Sequence, residues 1–292
     1  MKMKNLVIRS LSGAVYVAIF VGCILLGFQA FLILSLVLSI LGIMEYIRLE
    51  EHRHGENSVS TFTFYSCLIV TACIMLMFGY LNAKFNLNFQ YYPFPKSFYL
   101  IIGFVSAFLI LTLYWVISLI HAVLSKSHNV LSDLSLSLTS LFYIVLPLLL
   151  LCSVYIILPT VAASGLILIS LIAIWLNDTG AYIVGCSIGK HRLCERLSPK
   201  KSWEGFFGGM IFAMASTTAY AVIYDISVWH FCLYGAVISI LATLGDLFES
   251  LLKRTADVKD SGKLIPGHGG ILDRIDSLLF VAYAVFFMAL MQ

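Results

Sequence analysis

Between residues 246 and 276 the chain places six carboxylates and five cations. Asp246 and Glu249 stand three apart, so on a helix they share one face, and Lys253 follows Glu249 by four on that face. Asp273 and Asp276 repeat the spacing of three. Between the two pairs run Gly262, Gly267, Gly269 and Gly270, with His268 among them. Folding that loop back would bring the two carboxylate pairs together around a hard cation, which prefers oxygen ligands. Cations, carboxylates and flexible glycines packed this densely are what a metal-assisted phosphate site needs. His268 has no second histidine nearby and suits a phosphate donor or a loop-packing residue better than a metal ligand. A solvated loop could carry all six acids as surface charges. Their placement at the ends of apolar segments, where solvation is poor, argues for a site.

Two polar islands precede this stretch. Asn177-Asp178-Thr179-Gly180-Ala181-Tyr182 falls late in an apolar segment, where an ionisable residue is costly and is a functional candidate by default. The competing reading is a helix-packing group bonded to a neighbour. The second island runs from Gly189-Lys190 to Ser198-Pro199-Lys200-Lys201-Ser202-Trp203-Glu204-Gly205. Pro199 disfavours helix for Ser198 before it. The two lysines, the Ser198 hydroxyl and the glycines could line a triphosphate; they could equally anchor the chain at a membrane surface, with Trp203 at the interface.

The elements that must position these groups are apolar. Hydrophobic residues make up 61% of the 292 and charged residues 11%, with mean hydropathy +0.98. Soluble domains carry about 25% charge, so the bilayer is this chain's solvent. Nine apolar segments, at 11–27, 28–46, 61–80, 98–120, 136–158, 162–185, 205–224, 229–247 and 276–292, approach the ~20 residues of a spanning helix. The fold class expected is an all-α polytopic membrane protein of about nine transmembrane helices. With the N-terminus cytoplasmic, sixteen cations fall on the cytoplasmic side and only Lys84 and Lys96 on the other, as the positive-inside rule requires. The polar islands then face the cytoplasm, and the aromatic-rich loop 81–97 lies outside. The N-terminal stretch reads as a retained first span rather than a cleaved signal. Seven cysteines without a C-x-x-C pair read as apolar fillers. No basic run argues for nucleic acid. Residues 1–160 read as a transmembrane scaffold, His52-Arg53-His54 included, and 161–292 as the catalytic region with loops 186–204 and 248–275.

The stretch 250–276 resembles the signature of the phosphatidate cytidylyltransferases, the CDP-diacylglycerol synthases. Lys253-Arg254, Lys259-Asp260, Pro266-Gly267-His268-Gly269-Gly270 and Asp273-Arg274-Ile275-Asp276 all fall in register with it. Asp178 to Tyr182, Ser198 to Gly205 and Gly245 to Ser250 are similar to that family as well. The motifs span 177–276, and the N-terminal half is similar only in hydropathy. The resemblance implies transfer of CMP from CTP to phosphatidic acid, giving CDP-diacylglycerol and pyrophosphate with Mg²⁺, in a paired metal centre with a second cation. It implies Asp246 and Asp273 as the leading metal ligands, with Glu249 and Asp276 beside them. Phosphates would be held by Lys200, Lys201, Lys253, Arg254, Lys259 and Arg274. Asp178 and Ser198 would help shape the substrate site and His268 would join the catalytic set. CTP, phosphatidic acid and membrane lipids are the partners implied, and a homodimer is compatible. The location implied is the bacterial inner membrane, with a lateral opening for the acyl tails. Two other readings compete: a CTP-dependent polyprenol kinase, which the continuous 250–276 signature disfavours, and a cation-coupled transporter. Transporters place their acids at mid-bilayer between related halves, whereas these acids gather toward one face.

Overall fold

The structure is a computed structural model describing residues 2–55, 59–88, 96–124, 130–262, 264 and 269–292. It is all-α apart from one small hairpin. Helices α1 (Lys2–Leu25), α2 (Phe28–His54), α3 (Thr61–Asn88) and α4 (Lys96–Leu124) come first. A rod follows, made of α5 (Val130–Thr139), a π-wound turn (Ser140–Val145) and α6 (Leu146–Ile157). Then come α7 (Thr160–Ile188), strands β1 (Arg192–Cys194) and β2 (Ser198–Ser202), α8 (Trp203–Ile223), α9 (Val228–Thr255) and α10 (Leu272–Leu290). Each apolar segment expected from the sequence coincides with one of these rods, four of them running one or two residues past its end. Among the described residues, seven helices are long and apolar enough to cross a membrane, and α1 contributes a further apolar stretch over Leu11–Leu25. The protein is a multi-pass membrane protein.

Local chemistry explains the breaks. Gly27 takes φ +91°, a left-handed conformation open to glycine, and lets α2 start at once after α1. Phe20 of α1 then packs edge-on to Phe31 of α2. In the α5–α6 rod, Pro147 has no N–H to give and crowds the carbonyl four residues back. The winding just before it widens, and the Leu146 N–H reaches the Leu141 carbonyl. Such π turns gather at functional sites, and this one carries Tyr143 toward α9.

The interior is organised around α7–α10, with α6 behind them. Apolar burial is joined by hydroxyl and amide bonds between helices. The Ser239 hydroxyl of α9 donates to Asn177 Oδ1 of α7 at 2.6 Å, and Ser170 pairs with Tyr234 at 2.6 Å. Both Tyr155 and Ser164 donate to the Ile24 carbonyl at the end of α1, at 2.8 Å each. In contrast, α3 and α4 present many large apolar side chains outward, Leu76, Phe108 and Leu113 among them. Outward apolar faces of this extent suit contact with lipid.

Candidate active site

The site begins at the crossing of α9 and α10. A Cβ on Gly245 would lie 2.5 Å from the Asp276 carbonyl, so only glycine lets the two backbones approach this closely. The Ser277 hydroxyl locks the crossing by donating to the Ala242 carbonyl at 3.2 Å. As a result Asp246 and Glu249, one helical turn apart on α9, meet Asp276 of α10. One oxygen from each of the three lies within 4.8 Å of the others. Glu249 is 1% exposed, and its Oε1 has no hydrogen-bond partner. Phe248, next to it, stacks edge-on against Tyr143 at 4.8 Å and closes the wall on that side.

Two lysines reach this cluster from different elements. Lys253, one turn beyond Glu249 on α9, pairs with Glu249 and donates to Asp273 Oδ1 at 2.7 Å. The other Asp273 oxygen accepts from the backbone N–H groups of Ser261 (3.0 Å) and Gly270 (2.9 Å) and from the Ser261 hydroxyl (3.1 Å). Asp273, expected beside Asp246, is thereby committed to Lys253 and to the loop before α10. Lys201 comes from the β1–β2 hairpin and pairs with Asp246. Ser202 sets its position by capping α8, accepting from the Gly205 N–H at 3.1 Å. Glu204, in the first turn of α8, accepts from the N–H groups of Lys190 and His191 and pairs with the His191 ring at 2.6 Å. The hairpin is thus fastened to the same helix start that fixes Lys201.

Two cavities flank the carboxylates. One, of about 250 Å³, is bordered by Asp178, Tyr182, Lys200, Lys201, Thr243 and Asp246. The other, of about 290 Å³, lies between α1, α7 and α10, where Tyr16, Phe20 and Trp175 face Asp178, Arg274 and Asp276. Asp178 borders both. Tyr16 also donates to the Arg274 carbonyl at 3.4 Å.

The structure therefore brings together Asp178, Lys200, Lys201, Asp246, Glu249, Lys253, Asp273, Arg274 and Asp276. Arg254 and Lys259 are exposed and Ser198 is half-buried, and none of the three borders either cavity. His268 lies outside the described residues, as do Lys263 and Pro266. Sequence reasoning passed over Glu45 and Tyr16, both in the half read as scaffold, and the hairpin itself. Glu45 did leave a signal, a carboxylate near the end of an apolar run, which is costly there without a function or a partner.

The four carboxylates Asp246, Glu249, Asp273 and Asp276 face the two lysines Lys201 and Lys253. An all-oxygen donor set and an orphaned buried carboxylate oxygen fit a hard metal ion. Cations and carboxylates in this order, between two cavities that each join charged groups to apolar walls, can gather phosphates at the end of a helical bundle.

Comparison with known proteins agrees with this chemistry. Curated phosphatidate cytidylyltransferases resemble the chain. That of Staphylococcus haemolyticus is 47% identical over 117 residues, covering 39% of this chain and 45% of that protein. That of Bacillus subtilis is 45% identical over 119 residues, covering 40% and 44%. That of Staphylococcus saprophyticus is 40% identical over 169 residues, covering 56% and 62%. The aligned part thus spans about half the length of these relatives. The family profile reaches further and matches residues 7–292, which takes in the N-terminal helices as well as the motifs. On that match the chain belongs to the cytidylyltransferase family.

Proposed function

We propose that this protein is a phosphatidate cytidylyltransferase, which transfers CMP from CTP to phosphatidic acid and releases CDP-diacylglycerol and pyrophosphate. The observation that carries the reading is the Asp246–Glu249–Asp276 cluster, set between a cavity bordered by lysines and a cavity walled by apolar helices. The names of the bacterial relatives support the same substrates.

The reaction makes modest demands on the protein. A phosphomonoester has a second pKa near 6, so phosphatidic acid is largely dianionic at neutral pH and needs no general base. Its phosphate oxygen forms a bond to the α-phosphorus of CTP, and the bond to pyrophosphate breaks. The barrier is repulsion between two anions, which must be held close and in line. Lys200 and Lys201 would hold the CTP phosphates in the first cavity. Arg274 would hold the lipid phosphate in the second, whose apolar walls of α1 and α7 lead the acyl tails toward the bilayer. Lys253 keeps Glu249 and Asp273 in place. Asp246, Glu249 and Asp276 would hold Mg²⁺, which supplies charge neutralisation for the phosphates and the leaving pyrophosphate. Asp273 acts in this reading by ordering Lys253 and the loop before α10.

Purified protein in detergent with CTP, phosphatidic acid and Mg²⁺ is expected to release pyrophosphate and form a CDP-lipid. Lipid chromatography that finds a phosphorylated lipid alcohol and CDP instead would replace this reading with a CTP-dependent lipid kinase.

The same reading places the site at the cytoplasmic face of a bacterial inner membrane, with nine crossings and a cytoplasmic N-terminus. The ends of α2, α7 and α9 and the starts of α8 and α10 meet at the site, as alternating spans would arrange them. A single cysteine placed at Lys259 in a cysteine-free background is expected to react with impermeant maleimide in inverted vesicles and not in intact cells. Labelling in intact cells alone would reverse the orientation.

A further inference from the structure

Helix α10 starts without a capping side chain of its own. Ile271 stands at its N-cap position and contributes no side-chain bond. The first N–H groups of a helix have no partner within it and must be satisfied elsewhere. Here two carboxylates meet at the helix start. One is Asp273, which accepts from the Gly270 N–H just before the N-cap. The other is Glu45 of α2, which lies 226 residues before Ile271 and is 3% exposed. Glu45 Oε1 accepts from the Ile271 N–H at 2.9 Å. Its Oε2 accepts from the Leu272 N–H at 2.9 Å and from the Ser261 hydroxyl at 3.1 Å. That hydroxyl also lies 3.1 Å from Asp273 Oδ2, so Ser261 stands between the two carboxylates.

A buried carboxylate persists only where donors or charges compensate it. Among the described residues those on Glu45 are all neutral, and the helix start it caps adds the favourable dipole for an anion. The loop is shaped to admit it. A Cβ on Gly262 would lie 2.6 Å from Glu45 Oε1, and one on Gly270 would lie 2.4 Å from Oε2. The start of α10 is therefore held from two sides, by Asp273 through Lys253 on α9 and by Glu45 from α2. Asp276 follows one turn later, and its place in the carboxylate cluster depends on where that start is held.

We propose that Glu45 is a positioning residue for the cation site, acting through the start of α10 on Asp276; this rests on the reading of Asp246, Glu249 and Asp276 as cation ligands. The amide of Glu45→Gln has one acceptor oxygen in place of two. Whichever way it turns, its NH₂ faces a backbone N–H, that of Ile271 or of Leu272. The helix start must shift, and Asp276 with it.

The test is Mn²⁺ binding to the purified full chain in detergent, followed by electron paramagnetic resonance without CTP or lipid. Residues that orient metal ligands typically change affinity by about 10–100-fold when replaced. Glu45→Gln is expected to weaken Mn²⁺ binding by that factor and to lower turnover at fixed Mg²⁺, while excess Mg²⁺ restores part of the turnover. Glu51→Gln, on the same helix but with no hydrogen bond to Ser261, Ile271 or Leu272, is expected to leave binding unchanged. Gly262→Ala keeps the carboxylate but displaces it, and is expected to weaken Mn²⁺ binding as well; if Glu45→Gln does not yield folded protein, Gly262→Ala alone decides. Wild-type Mn²⁺ affinity in these variants overturns the proposal. Failure of the wild-type protein itself to bind Mn²⁺ overturns the cation-site reading, and the positioning role falls with it.

Discussion

Asp246→Asn is expected to lower the rate of CDP-lipid formation by about a thousandfold or more while the protein remains folded. The side chain keeps its volume and loses the charge that the cluster offers a cation. Loss of charge stabilisation at a phosphoryl-transfer centre costs several kcal/mol, and about 1.4 kcal/mol corresponds to a decade in rate. Folding should tolerate the change for two reasons. The Lys201–Asp246 pair is partly open to solvent, and exposed pairs contribute little to stability. The substitution also relieves repulsion with Glu249 and Asp276, whose oxygens lie within 4.8 Å of its own. Without added metal, the melting temperature of the variant should therefore equal or exceed that of the wild type. A variant that keeps near-normal turnover at limiting Mg²⁺ would remove Asp246 from the ligand set.

The contrast between Asp273 and Asp276 marks where the sequence stops being legible. Both sit in the first turns of α10, three apart, and nothing local distinguishes them. Residues three apart point in similar directions, so both were candidates for the same cation. Two tertiary facts separate them. Asp273 is close enough to the helix start to accept the N–H groups of Gly270 and Ser261. Asp276 is the one that the Gly245 crossing presses against α9. The pair Asp246 and Glu249 was legible because both ride on one unbroken helix, whose period fixes their common face.

The helices were legible for a related reason. Runs of about twenty apolar residues leave no other way to satisfy the backbone in lipid. The β1–β2 hairpin was not, since Arg192–Cys194 is too short to show a period, and Ser198–Ser202 is polar with a proline in it. An edge strand accepts that proline at little cost. Glu45 shows the limit most clearly. Its partners, Ser261, Ile271 and Leu272, are more than 200 residues away, and no periodicity in α2 announces them. A division of the chain into scaffold and catalytic halves follows motif density and does not register a contact of this kind.

Lys253 is where stability and catalysis are most tightly joined, and its replacement is the second large effect expected. Its half-buried ammonium lies between Glu249 and Asp273, whose side chains are 1% and 7% exposed. Removing one partner of a buried ion pair typically costs about 3–5 kcal/mol, because the remaining charge is left uncompensated. In Lys253→Met buried Glu249 is left so, while Asp273 keeps the donors of Ser261 and Gly270. The variant is expected to melt well below the wild type in detergent and to lose turnover. The two losses can be separated. Adding Glu249→Gln to Lys253→Met removes the stranded charge and should recover much of the melting temperature, since coupled neighbours are not additive. It should not recover turnover, because the double variant has also lost a cation ligand. Thermal melts and CDP-lipid formation on the same three preparations would measure this. If Lys253→Met melts like the wild type, the lysine does not hold the two carboxylates. If the double variant regains both stability and rate, Glu249 is no part of the cation site.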